Sequence, residues 1–377
     1  MTVDDIPVRG CPLRIELSNF LDGRFNSYVS DNQFANYDEE IFITLNRRTF
    51  FESLLKAFPS DANKKKQKTY INYEKEEGID AGGISKDFFE CLGVYAQKPD
   101  FKLFQRQGDH FRIHPDSNPQ MLKVYGSAIA NGIIHRQKIP ISLCDSLLKI
   151  LLEVPLTIED FSKENPEFYK NLTEILNYSE EDLQSVGMNF TVIKDNNVID
   201  LIANGGNVYV NTQNRVNYVK KIVEWELRGY AKNSIENFVQ GFFEVAKPLK
   251  ELFSVDEVRF IMCGLESSYI QILSEKIKCS SAMEKQKIWL IRWFEERGPE
   301  AVKKFLKFAT SSSLIPVGKS NWELRLAPKY HTSNNMDLPI SHTCFNSVEF
   351  PMYPTYEILC EKMDYLASIE MEGFQFA

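Results

Sequence analysis

Several signatures that would place a protein quickly are missing from this chain. The opening residues MTVDDIPVRGCPLRIEL lack the charged-then-apolar layout of a signal peptide. No stretch approaches the ~18 uninterrupted apolar residues of a membrane span, so insertion into a bilayer is not expected. A basic surplus is also absent. The net charge of −8 argues against the single-sign basic surface that nucleic acid or an anionic membrane calls for, and an acidic soluble chain more readily meets proteins. The seven cysteines, at 11, 91, 144, 263, 279, 344 and 360, are odd in number and lack paired short spacing, which argues against a disulfide framework and a zinc site. Gly82-Gly83 after Asp80 marks a sharp turn, but neither a second glycine set nor a GK[ST] ending follows, so no phosphate loop is read there. Repeats and low-complexity tracts are missing too, and neither a cofactor nor a metal is expected. Unpaired thiols suit a reducing compartment, the cytosol or the nucleus.

What is present is a globular composition, 43% hydrophobic and 25% charged over 377 residues, enough for two or three cores. Residues 1–40 read as an arm. The run DANKKKQK at 61–68 reads as a solvated loop ahead of a strand, the glycine turn and a helix starting near Ser85. Residues 121–153 give two core-facing helices around a turn at Lys138 to Pro140. In FYKNLTEILNY at 168–178, Phe168, Leu172, Ile175 and Leu176 fall at helical steps, an apolar stripe that suits either a core or an interface. Asn204 to Asn207 looks like a hairpin turn, and Ile235, Phe238, Val239 and Phe242 follow helical spacing. Ser254 with Glu257, and Ser281 with Glu284, read as capping boxes. The helix after Ser254 runs out at Cys263, and Gly264 to Ser268 follows with a helix stop and little to pack, so a boundary is placed there. Beyond it the character changes to a small mixed α/β unit. There Trp322, Leu324 and Leu326 alternate as in a half-buried strand, and a final helix from about Thr355 to Ile369 turns Leu359, Met363 and Leu366 inward.

The cysteines differ in setting. Cys91, Cys144, Cys263 and Cys360 sit in apolar helical surroundings and read as packing residues, whereas Cys11 and Cys279 sit in polar text without a catalytic companion. Cys344 follows the turn-rich HTSNNMDLPISHT and precedes the strand-like SVEF, which places it at a loop tip. His342 lies two residues away. Proximity in sequence does not make a Cys-His dyad, because the base must meet the thiol in space and be oriented by a third group. Thioester exchange asks less than amide hydrolysis, since a free thiol of pKa ~8.5 is already a few per cent ionised at neutral pH.

The string Leu338-Pro339-Ile340-Ser341-His342-Thr343-Cys344-Phe345-Asn346, followed by Pro351 and Tyr353, resembles the active-site signature of HECT ubiquitin ligases. The resemblance extends to EEGIDAGGISKDFF at 76–89, VNTQNRVNYV at 210–219, FVQGFFEV at 238–245, the MCGL helix end and FATSSSLIP at 308–316, and the chain ends with Phe374 fourth from the C-terminus. It implies an α+β, bilobal fold: a large mainly helical N-terminal lobe over 41–263, a hinge at Gly264, Leu265, Glu266, Ser267 and Ser268, and a small α/β lobe over 269–377. It also implies that Cys344 accepts ubiquitin as a thioester from a ubiquitin-conjugating enzyme and passes it to a substrate lysine. Phe374 would orient the small lobe, and His342 and Thr343 would shape the Cys344 loop. Asp80 would polarise the incoming lysine or merely stabilise its turn. The conjugating enzyme would be bound by Phe168, Leu172, Ile175, Tyr178, Val186, Met188, Tyr218 and Ile222. Ser311 and Leu314 stand where the family carries glycine and arginine, and the helix of residues 125–134 is also divergent. A HECT-like scaffold that does not ligate, and a cysteine hydrolase, are the alternatives. Only about 40 residues precede the catalytic unit, so the chain reads as a compact ligase or an excised domain, with Met1 favouring the former.

Overall fold

The structure is a computed structural model describing residues 23–27, 40–76, 82–194, 196–246, 253–264, 270–315, 322–329 and 337–369. It is α+β, with helices in the majority and short strands gathered into four small sheets among the described residues. None of the described helices is long and apolar enough to cross a membrane.

The body opens with β1 (Glu40–Leu45), α1 (Phe50–Ala57) and β2 (Lys68–Tyr73), and the two strands pair in parallel from Glu40 opposite Lys68 to Leu45 opposite Tyr73. Alternation along β1 buries Ile43 and Leu45 and leaves Phe42 exposed, the period of a strand with one face on a core. The lysine-rich connection is solvated over residues 61–64, as its composition suggests, but turns inward at Lys65 and Gln67. Its short 3₁₀ turn buries Lys65, which pairs with Glu244, while the buried Asn131 amide donates to the carbonyls of Lys65 and Gln67 at 2.8 Å each. A charged head is tolerated there because a carboxylate meets it.

Next come α2 (Gly83–Ala96), the hairpin of β3 (Phe104–Gln107) and β4 (His110–Ile113), α3 (Pro119–Ile134) and α4 (Asp145–Leu151). Gly82 takes φ +105 at the N-cap of α2, a conformation that favours glycine and lets the chain reverse into the helix. Then follow α5 (Phe161–Glu164), α6 (Pro166–Asn177), α7 (Glu180–Val186), β5 (Thr191–Lys194), β6 (Asn197–Asp200), α8 (Arg215–Leu227), α9 (Lys232–Phe243) and α10 (Val255–Cys263). Helices α3 and α9 lie close enough that a side chain on Gly126 would strike the Phe238 carbonyl, and one on Gly241 the Lys123 carbonyl. The Ser254–Glu257 capping box forms at the start of α10 as expected.

The C-terminal region contains α11 (Ile270–Lys276), β7 (Ile277–Cys279), α12 (Glu284–Arg297), α13 (Pro299–Thr310), β8 (Leu324–Pro328), β9 (Ile340–His342), β10 (Ser347–Phe350) and α14 (Tyr356–Ser368). Its sheet runs β7-β8-β10-β9, with β8 parallel to β7 and β10, and β9 antiparallel at the edge. Leu324 and Leu326 point inward, as do Leu359, Met363 and Leu366 of α14. Gly298 (φ +78) stops α12 and Pro299 opens α13.

Two expectations are corrected. Asn204 to Asn207 is not a hairpin turn but leads into a 3₁₀ turn, while the hairpin joins β5 to β6 past Asn196 (φ +63). The Ser281 capping box does not form, because Ser281 lies inside a 3₁₀ turn that precedes α12.

The apolar cores divide unexpectedly. One buried cluster runs from Ile43 through the body and on into Trp293, Phe305, Leu324 and Met363, so the body and the C-terminal region share it. The separate cluster lies within residues 161–227, built on Phe161, Leu172, Leu183, Phe190, Val210, Tyr218 and Ile222. Each such buried side chain contributes about 1.5–3 kcal/mol, enough in sum to hold a unit of this size together.

Candidate thioester site

Strands β9 and β10 are joined by only Thr343, Cys344, Phe345 and Asn346, and the first three form a 3₁₀ turn. Asn346 takes φ +47, a left-handed conformation that asparagine tolerates, and closes the reversal. Cys344 is half-buried at this tip of the sheet edge, beside a Phe345 ring that is 77% exposed.

Of the five other described thiols, Cys360 is half-buried against the larger apolar core and the remaining four are engaged or raised. Burial pushes Cys91 up to about 12 and Cys144 up to about 11, with a nearby carboxylate adding to each. The Cys279 thiol is raised by burial and by Glu284, and Cys263 donates to the Ile141 carbonyl at 3.2 Å. Raised thiols are poor nucleophiles at neutral pH. Cys344 Sγ makes no hydrogen bond to a described residue.

His342 bears on the alternatives. Its Nε2 lies 3.0 Å from Glu349 Oε1, diagonally across the β9–β10 ladder in which His342 opposes Ser347. No hydrogen bond joins the imidazole to Cys344, so the described residues supply no thiol-imidazole dyad.

The loop is held from outside. Lys86 Nζ, on α2, donates to the Thr343 carbonyl at 3.1 Å and to Asn346 Oδ1 at 2.9 Å. One turn further along α2, the buried Glu90 carboxylate accepts from the Ser313 backbone N–H at 3.1 Å. Burial raises the Glu90 carboxyl above its ordinary value, against the lowering effect of the Ser313 bonds and of Lys307. The helix itself is anchored: Asp87 pairs with Arg47 at 2.6 Å, Arg47 also meets Glu76 at 2.5 Å, and Ser85 Oγ donates to the Thr69 carbonyl at 2.9 Å. A small cleft follows the same seam, lined by Lys86, Arg136 and Lys138 of the body and by Ser312, Leu314 and Trp322 of the C-terminal region. Leu314, at the position where the resembled family carries arginine, is buried there, and Ser311 occupies its glycine-type position with φ +61.

The eight residues expected to meet a conjugating enzyme gather around the separate cluster. Leu172, Tyr218 and Ile222 are buried inside it, Phe168, Ile175, Tyr178 and Met188 pack partly exposed against it, and Val186 stands 56% exposed at the end of α7. The three buried residues therefore support this surface from beneath. Asp80, Phe374 and Leu265 to Ser268 lie outside the described residues; Gly264 is described and takes φ +71. Sequence reasoning missed Lys86, Glu90, Glu349 and Asn346 as neighbours of the site. Asn346 alone was detectable, as a left-handed-tolerant residue between two strand-like runs.

Cys344 thus stands at the tip of an edge hairpin seated on a helix of the body of an α+β protein. The chain belongs to the HECT-domain (ubiquitin-transferase) family, which it matches over residues 48–377. It is similar to the E3 ubiquitin-protein ligase ptr1 of Schizosaccharomyces pombe, 29% identical over 94% of this chain and 12% of that protein. It is also similar to the E3 ubiquitin-protein ligase pub3 of the same yeast, 28% identical over 86% of this chain and 44% of that protein. A third relative, the E3 ubiquitin-protein ligase HACE1 of Xenopus laevis, is 26% identical over 86% of this chain and 37% of its own length. The chain thus spans less than half the length of these relatives.

Proposed function

We propose that this chain is the catalytic module of a ubiquitin ligase. Cys344 Sγ attacks the thioester by which a conjugating enzyme carries ubiquitin; the enzyme's thiol leaves, and ubiquitin's C-terminal acyl group is bonded to Cys344. A substrate lysine amine then attacks that carbonyl, gives up a proton, and releases the Cys344 thiolate as an amide forms. The leaving and attacking sulfurs are chemically alike, so the first step is near balance and needs no strong base. The observation that carries this reading is the available Cys344 at the β9–β10 tip of a chain matching the HECT-domain family, with His342 engaged by Glu349. The partly exposed Phe168, Ile175, Tyr178, Met188 and Val186 serve as the conjugating enzyme's platform. The joint at Gly264 to Ser268 lets the thiol travel between donor and acceptor, and Phe374 and Asp80 assist in the ligating arrangement. A reducing compartment, cytosol or nucleus, keeps the thiol available.

The test is a non-reducing gel of the chain with ubiquitin, activating enzyme, conjugating enzyme and ATP. A ubiquitin adduct that thiol reagents release and Cys344→Ala abolishes is expected. An adduct that survives Cys344→Ala defeats the assignment of the nucleophile. Absence of any adduct with a broad set of conjugating enzymes points to a non-ligating scaffold, and cleavage of preformed conjugates to a hydrolase.

A further inference from the structure

The contacts on either side of Cys344 are unusual in reaching both ends of one short turn. Lys86 Nζ binds the carbonyl of Thr343, just before the cysteine, and the side chain of Asn346, two residues after it. An ammonium carries three donors on a point charge, and charge-assisted bonds of this kind are the stronger ones. Its support lies within the body: Gly82 sets the start of α2, Asp87 is tied to Arg47, and Ser85 Oγ donates to the Thr69 carbonyl. In this arrangement the loop that bears the thiol is bonded to α2 and has no hydrogen bond to the separate 161–227 cluster among the described residues.

We propose that Lys86 is a positioning residue that favours the second half of the reaction. Resting on the transfer reading above, loading requires Cys344 to meet a donor seated on the 161–227 cluster, so the loop must leave Lys86. Passing the acyl group to lysine needs no such donor and proceeds with the loop clamped on α2. A contact made in only one of two arrangements biases the populations and the step that depends on them, and leaves the other step equal or faster.

The experiment separates the two half-reactions of the full chain under single-turnover conditions: loading of Cys344 from a charged conjugating enzyme, then discharge to free lysine. Lys86→Met, which removes both bonds, is expected to load at the wild-type rate or faster and to discharge at least about tenfold more slowly, the scale of charge-assisted bonds. Lys86→Arg restores discharge, since a guanidinium can donate to the same two oxygens. Asn346→Gly, which keeps the left-handed turn but removes one acceptor, gives an intermediate loss. Loading and discharge slowed in parallel, or discharge unchanged in Lys86→Met, overturns the proposal. Amide hydrogen exchange over β9 and β10 provides a second test that needs no partner protein. Faster exchange in Lys86→Met than in wild type supports the clamp and equal exchange refutes it. Failure of the wild-type chain to load Cys344 counts against the transfer reading, and the exchange result still decides the clamp.

Discussion

Residues 161–227 and the C-terminal region are joined to the body in opposite ways. The first closes an apolar core of its own around Leu172, Phe190 and Tyr218, with Phe190 and Tyr218 edge to face at 5.3 Å. The second adds its apolar residues to the body's cluster, and near the thiol it is held by discrete polar contacts, Lys86 to the Cys344 loop and Glu90 to Ser313. A self-contained core makes a platform whose shape does not depend on its neighbours. Discrete hydrogen bonds can exchange with water one at a time, so the Cys344 loop can be released from α2 at modest cost. A relay that takes a cargo at one place and delivers it at another needs both kinds of attachment.

The most forceful way to break this comparison is to damage the platform from within. Leu172→Asp places a carboxylate in a site 2% exposed and should cost about 4 kcal/mol or more, combining the lost packing with an unpaired buried charge. Hydrogen exchange should then show α6 and α8 unprotected while α3 and α9, in the other core, keep their protection. Uniform loss across both cores would show that the clusters are energetically one. Val186→Asp supplies the contrast from the surface. That residue is 56% exposed, so its thermal midpoint should stay within about 1 °C of wild type. Loading from the conjugating enzyme should nevertheless fall about tenfold, as expected for a charge placed in an apolar contact. A Val186→Asp chain that loads normally would move the platform elsewhere on the cluster.

Much of this was legible in the sequence where the signal is local. The alternation of Leu324 and Leu326, the inward stripe of Leu359, Met363 and Leu366, the Ser254 capping box and the Gly298-Pro299 junction all appear as read, because each depends on residues within one turn or one strand. The turn at Asn204 was misread because asparagine and glycine suit a 3₁₀ turn as well as a hairpin, and nothing nearby distinguishes the two. The stripe of α6 announced burial but not which core it enters, and so the separate cluster was not foreseen. The position of Cys344 at a turn between two strands was legible in its flanking text. Its clamp was not, since Lys86 precedes it by some 250 residues and a lysine at a helix start carries no mark of its distant partner.

A smaller effect tests the seam through its carboxylate. Burial holds the folded Glu90 carboxyl above its unfolded value, so the stability tied to its protonated form is complete at low pH and is lost as pH rises through and beyond the ordinary carboxylate range. Glu90→Gln keeps an oxygen for the Ser313 N–H and cannot ionise. Its stability relative to wild type in urea should therefore improve by about 1 kcal/mol between pH 5 and pH 8. A difference that is flat with pH would mean that Lys307 and the Ser313 bonds already compensate the buried charge in full.

The smallest expected change lies one element away, and it separates strain at the seam from bonding across it. Ser311 follows α13 with φ +61 and ψ 14, and its N–H closes the helix on the Lys307 carbonyl at 2.9 Å. That is the left-handed position at which helices commonly end on glycine, and a side chain there costs on the order of 1 kcal/mol. Ser311→Gly relieves the strain but gives the unfolded chain more freedom, so the net gain should be about 0.5 kcal/mol, read as a small rise in thermal midpoint. Because the substitution leaves Lys86 and Glu90 untouched, loading and discharge rates should stay as in wild type. A change in discharge with Ser311→Gly would mean that the path of the 311–315 segment, and not only the Lys86 bonds, sets where Cys344 rests.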